Sequence, residues 1–175
     1  MIRLIFTALS IFYIFLSCSC NATQPERYLA VTVGPSNTLA GFAHNTFSRL
    51  MKNPPAKTSG DGHPAVLTRK ELIEEKIRFS RQMLVRLQQM EYSPEERDIV
   101  TSSIALHQFV IQVYETDYML LARLYDDGAS IKTIERFDSA IKNKYANMFE
   151  LHYENLIRGG KLYAAKHKLK VPTTI

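Results

Sequence analysis

The run from Ser93 to Asp127 constrains this chain most, because it holds no Gly and no Pro beyond Pro94. Ser93 suits a helix N-cap, Pro94 suits the first helical position, and Glu96 completes an S-x-x-E capping box. Gly128 supplies the stop by taking the left-handed conformation. Two apolar seams run side by side at three- and four-residue spacing. One holds Ile99, Leu106, Val110, Val113, Leu120 and Leu124; the other holds Val100, Ile104, Ile111, Tyr114, Tyr118, Leu121 and Tyr125. So wide a face belongs to a helix with more than one neighbour. The expected fold class is all-α: an antiparallel bundle of three long helices plus a short N-terminal helix, preceded by a signal peptide and an extended arm.

The flanking stretches fill in that bundle. Thr68 to Glu71 is a second capping box, opening a helix to about Met90 with Ile73, Ile77, Leu84 and Leu87 in one stripe. Only Glu91-Tyr92-Ser93 separates it from the central helix, which predicts an antiparallel hairpin. Ser130 opens the last long helix, to about Arg158, where Gly159-Gly160 predicts a break or kink. Asn53 to Pro64, with three Pro and two Gly, reads as a loop and an internal boundary. Residues 1–20 are then a leader, 21–64 an arm with a short helix about 36–52, 65–170 the bundle and 171–175 a tail. Tyr28 to Val33 has strand-like residues but no partner strand, so it reads as an extended tether.

The leader carries the clearest functional signal. Arg3 lies in a short positive segment before the uncharged apolar run Leu4 to Leu16, which is of signal-peptide length and short for a bilayer span. Both cysteines of the protein, Cys18 and Cys20, stand directly after it. Each is preceded by a small residue, as in a bacterial lipobox, although Phe15 or Ser17 stands where Leu is usual. Ala22 offers a conventional cleavage site instead. With no cysteine left for a disulfide, pairing at a processing junction favours lipidation of Cys18 or Cys20 over bridging. Asn21 after Cys20 suits outer-membrane sorting, and Asn21-Ala22-Thr23 is a glycosylation sequon relevant only in a eukaryotic host.

Composition is that of a globular domain: 175 residues, 22% charged, net charge +5. Arg3 is the only charged side chain of the leader, so a chain starting near residue 20 carries about +4. Beyond Glu154 there is no acidic side chain, whereas Arg158, Lys161, Lys166, Lys168 and Lys170 lie there. Such a tail can meet anions, but Lys near a helix C-terminus is also simply favoured there.

Catalytic patterns are absent: no H-E-x-x-H, no helical E-x-x-H pair, no G-x-S-x-G and no P-loop. No cofactor and no small-molecule substrate is implied. His107 and Asp117 interrupt the central seams and His152 the last one. Were the histidines to face each other near Glu115 or Glu154, they could hold a metal; isolated core histidines are the plainer account. Met83, Met90, Met119 and Met148 could offer thioethers to copper, though core packing explains them better. Tyr114, Tyr118, Tyr125, Tyr145 and Tyr153 could line a partner-binding groove or rim the core. Asp127 to Ile134 resembles a helix-turn-helix turn, but its flanking helices are too long and export separates it from DNA, so no nucleic acid is expected. The sequence thus points to an exported, non-enzymatic helical protein, lipid-anchored through Cys18 or Cys20, that binds another envelope protein in a secretion, pilus or conjugation assembly. A periplasmic stress or metal-responsive protein and a eukaryotic or viral secreted ligand are the alternatives.

Overall fold

The computed structural model describes residues 25–58 and 64–170, which form a predominantly helical protein. The expected leader with Cys18 and Cys20, the Asn21 sequon and the 171–175 tail lie outside the described residues. Helix α1 (Pro25–Thr32) leads into a 3-10 helix (Gly34–Leu39) and α2 (Asn45–Lys52). Strands β1 (Ala56–Thr58) and β2 (Pro64–Val66) pair antiparallel, with Lys57 opposite Ala65. Helices α3 (Arg69–Gln88) and α4 (Arg97–Val113) come next. A π-helical turn (Tyr114–Tyr118) joins α4 to α5 (Met119–Asp126), and α6 (Ile131–Lys166) is the longest element.

The local punctuation sets most helix ends. Thr68 Oγ1 accepts from Glu71 N at 3.1 Å while the Glu71 carboxylate accepts from Thr68 N at 2.9 Å, a complete capping box. The Asp126 carboxylate reinforces that end, accepting from Arg69 N at 3.1 Å and Lys70 N at 3.0 Å. Gly128, at φ +70°, closes α5: Ala129 N donates to Leu124 O and Gly128 N to Tyr125 O, the Schellman pattern. Ser130 Oγ caps α6 by accepting from Thr133 N at 3.2 Å.

At Ser93 the capping box forms only by half. Glu96 Oε2 accepts from Ser93 N at 2.8 Å, but Ser93 Oγ has no partner among the described residues and regular helix begins at Arg97. Glu96 N donates to the Ser93 carbonyl instead, at 3.1 Å, and the other Glu96 oxygen accepts from the Tyr163 hydroxyl on α6 at 3.1 Å. The remaining inter-helix pairs fix direction. Arg69 meets Asp126 and Arg81 meets Glu115, while Tyr145 meets Asp117 and Tyr163 meets Glu96, so α3 and α6 run antiparallel to the central helix.

Several expectations are corrected. Tyr28 to Val33 is not an extended tether, since Pro25–Thr32 is helical. Tyr28 is 1% exposed, its ring lies 4.8 Å from that of Tyr163, and its hydroxyl donates to Glu96 O at 2.9 Å. Those contacts override the weak helix propensity of the β-branched residues. The single helix about 36–52 is split, because Gly41 at φ +83° and Ala43 at φ +54° turn the chain before α2. A Cβ at position 41 would meet Thr46 Cβ at 2.7 Å, so glycine is required there. The stretch expected as a loop, Asn53–Pro64, contains β1, which pairs with β2 at its end and beyond.

Gly159 and Gly160 do not break α6, which continues to Lys166. A Cβ at Gly160 would come within 2.9 Å of Val33 Cγ2, and one at Gly159 within 3.2 Å of Ile99 Cγ1. The pair is a place of close approach for the arm and α4. Finally, Leu120 is 45% exposed although its spacing from Val113 places it inward. The π turn adds a residue to the helical repeat and rotates the rest of the helix, so Leu121 and Ala122 take the core positions.

Candidate functional site

The segment holding Phe42 and Phe47 packs against the π turn. Tyr114 and Tyr118 both point inward there; Phe42 and Phe47 pack against them and Phe149 packs on Phe42, with ring centroids about 5 Å apart. The Tyr118 hydroxyl accepts from Ala43 N at 3.1 Å. Burial raises the Tyr118 and Tyr114 hydroxyl pKa values far above the ordinary range, so both stay neutral donors or acceptors. On the outer side, Asp117 accepts from the Tyr145 hydroxyl at 2.6 Å and from Lys144 Nζ at 3.1 Å. The bond from Tyr145, helped by Lys144, holds its carboxyl below the usual range.

A polar network fastens α2 to α6 beside this cluster. The Ser48 hydroxyl lies 2.8 and 3.0 Å from the two Asp138 oxygens. Lys142 Nζ pairs with Asp138 at 2.9 Å and donates to Asn45 Oδ1 at 3.1 Å. His44 Nε2 is 2.8 Å from Glu150 Oε1 but out of line for a hydrogen bond. Arg69 ties the far end of α2, donating to Met51 O and Lys52 O at 3.2 Å each, with its guanidinium 5.3 Å from the Tyr125 ring centroid. A cleft of about 500 Å³ remains beside this network, between Arg49, Lys52, Tyr125 and Asp138. Both oxygens of Asp138 are occupied within the network, so its chemistry is spent on holding the arm.

The outer face of α3 is different. A groove of about 910 Å³ is lined by Ile77, Arg78, Arg81, Val85, Arg86 and Glu115. Arg81 bonds to Glu115 across to the π turn, which fixes one guanidinium at the groove wall. Among the described residues Arg78 and Arg86 make no ion pair or side-chain hydrogen bond. Glu74 is balanced by Lys70 at 3.7 Å. Helical spacing puts Arg78, Arg81 and Arg86 on one side, with half-exposed Val85 between them. The groove therefore offers two uncommitted forks of N–H donors around an apolar floor, a shape suited to carboxylates on an amphipathic segment.

The residues singled out by sequence do not assemble into one site. Tyr114 and Tyr118 are each 1% exposed, so they are core and not partner surface. Tyr125 lies under Arg69, Tyr145 is engaged with Asp117, and Tyr153 stacks on Phe149 at 5.6 Å. His107 is fully buried with neither ring nitrogen bonded among the described residues, while His152 packs against Phe109 at 5.3 Å. Among the described residues no group of three or more His, Cys, Asp or Glu side chains converges, and Glu115 is taken by Arg81. Met83 is core, Met90 and Met119 pack against the core, and Met148 is 48% exposed, so the four thioethers are dispersed. The Asp138–Lys142 pair has local i,i+4 spacing, but nothing in the sequence marks its joining to Ser48 and Asn45, or Arg69 to Asp126, which lie tens of residues away. The arginine spacing on α3 is legible, but not its pairing with Glu115. Comparison with known proteins returns no matching family model, no curated relative and no matching solved structure.

Proposed function

We propose that this is an exported, lipid-anchored, non-enzymatic protein that binds another protein, as an accessory component of a bacterial cell-envelope assembly of secretion, pilus or conjugation type. The apolar run Leu4 to Leu16, with Cys18 and Cys20 after it, supports the export and the anchor. Three long antiparallel helices would serve as the scaffold and the docked arm as its link to the membrane. The observation that carries the binding role is the α3 groove. Among the described residues Arg78 and Arg86 stand there without ion-pair partners, and Val85 lies exposed between them. Its partner is an acidic, amphipathic segment of a neighbouring envelope protein: carboxylates on the guanidinium forks, apolar side chains on Val85 and Ile77.

A photo-crosslinking residue in place of Val85, in cells that express the full gene with its assembly, tests this. The expected result is one crosslinked envelope protein, lost when Arg78 and Arg86 are both changed to Glu and kept when the exposed Lys132 is changed to Glu. Crosslinking that is absent, or indifferent to Arg78→Glu with Arg86→Glu, would overturn it.

A further inference from the structure

The outer side of α6 carries an exposed apolar stripe. Met148, Leu151 and Leu162 are 48%, 53% and 69% exposed. With Asn155 and Arg158 between them they recur at alternating three- and four-residue spacing, so all five lie on one line along the helix. Glu150, Glu154 and Lys161 flank that line on one side, around a shallow groove of about 540 Å³. Arg158 reaches back to Asn155 Oδ1 at 2.6 Å.

The chemistry along this stripe is mirrored about a centre between Asn155 and Leu156. Counting outward in the two directions, Glu150 matches Lys161, while Met148 matches Leu162 and Glu154 matches Arg158 within one residue. Two copies of α6 laid antiparallel with Asn155 at the crossing bring these matched residues together. Apolar then meets apolar at both ends, and acid meets base at the flanking positions. A parallel pair would set Arg158 against Arg158 and leave Glu150 and Lys161 without opposite charges. An antiparallel pair with a two-fold axis also satisfies the self-complementarity that an isologous contact demands. We propose that this face binds a second copy of the chain through antiparallel α6–α6 pairing centred on Asn155. The contact is separate from the α3 groove and does not depend on the role assigned to it.

Sedimentation of the processed full-length protein tests the pairing, with circular dichroism to confirm that each variant is folded. Glu150→Lys and Lys161→Glu should each weaken dimerisation about tenfold by placing like charges opposite each other. The double variant should restore it. Positions 150 and 161 lie about 16 Å apart along one helix, too far to pair within a chain, so restoration reports a contact between copies. Mixed Met148→Cys and Leu162→Cys copies should crosslink to each other more readily than Met148→Cys copies crosslink among themselves. A monomer at all concentrations overturns the proposal. So does a dimer that ignores both charge reversals, a double variant weaker than either single one, or preferential Met148→Cys self-crosslinking.

Discussion

His107 is the residue at which burial and chemistry conflict most openly. It is fully buried, and among the described residues neither imidazole nitrogen has a hydrogen-bond partner. Burial pushes its pKa down from 6.5 to about 4, because the imidazolium would lose its hydration. The folded state therefore binds fewer protons than the unfolded state between those values. The stabilisation is fully present above pH 6.5 and is lost as pH falls toward 4, a change of roughly 3 kcal/mol. Thermal denaturation across that window should show a fall in Tm that is much reduced in His107→Leu. At pH 7 the same variant should be at least as stable as the native protein, by about 1 kcal/mol, since it removes two unbonded polar atoms. An unchanged pH dependence would show that other groups govern acid stability. Arg69 is the opposite case, with its donors shared between the α2 carbonyls and Asp126. Arg69→Ala should cost about 1–3 kcal/mol in chemical denaturation, and Arg69→Lys should recover little, because an ammonium cannot reproduce the fork.

At the scale of elements, legibility depends on whether the signal is local. The Thr68 box, the Gly128 stop and the Ser130 cap are satisfied by near neighbours in the chain, so the sequence alone specifies them. Thr68→Ala should lower stability by about 1 kcal/mol through the loss of that cap, as denaturant titration would measure. The helical class is readable for the same reason, from periodicity that repeats over long stretches. Elements that answer to distant partners are not. Pro25–Thr32 is helical because Tyr28 meets Glu96 and Tyr163. The π turn is invisible to a 3.6-residue count, which therefore places Leu120 inward. Gly160, a helix breaker by propensity, is instead a contact. Gly160→Val should gain little helix propensity and press against Val33, freeing the arm. Hydrogen exchange should then rise in residues 25–47 with α3 still protected; unchanged protection of the arm would contradict that role for the glycine.

At the scale of the whole molecule, the protein divides its charged chemistry between holding itself together and facing outward. Asp138, Lys142, Asp117 and Glu96 fasten α2 and α6 to the core, whereas Arg78 and Arg86 remain committed to nothing among the described residues. That division underlies the reading of a tethered protein that works through a partner. The proposed membrane attachment rests on the sequence of residues 1–20. The measurement that tests it most directly is the intact mass of the mature protein from fractionated cells, with and without an inhibitor of lipoprotein signal peptidase. The account predicts a diacylated N-terminal Cys18 or Cys20 in the membrane fraction, replaced by the unprocessed precursor when the inhibitor is present. An unmodified N-terminus near Thr23 in the soluble fraction, indifferent to the inhibitor, would contradict it.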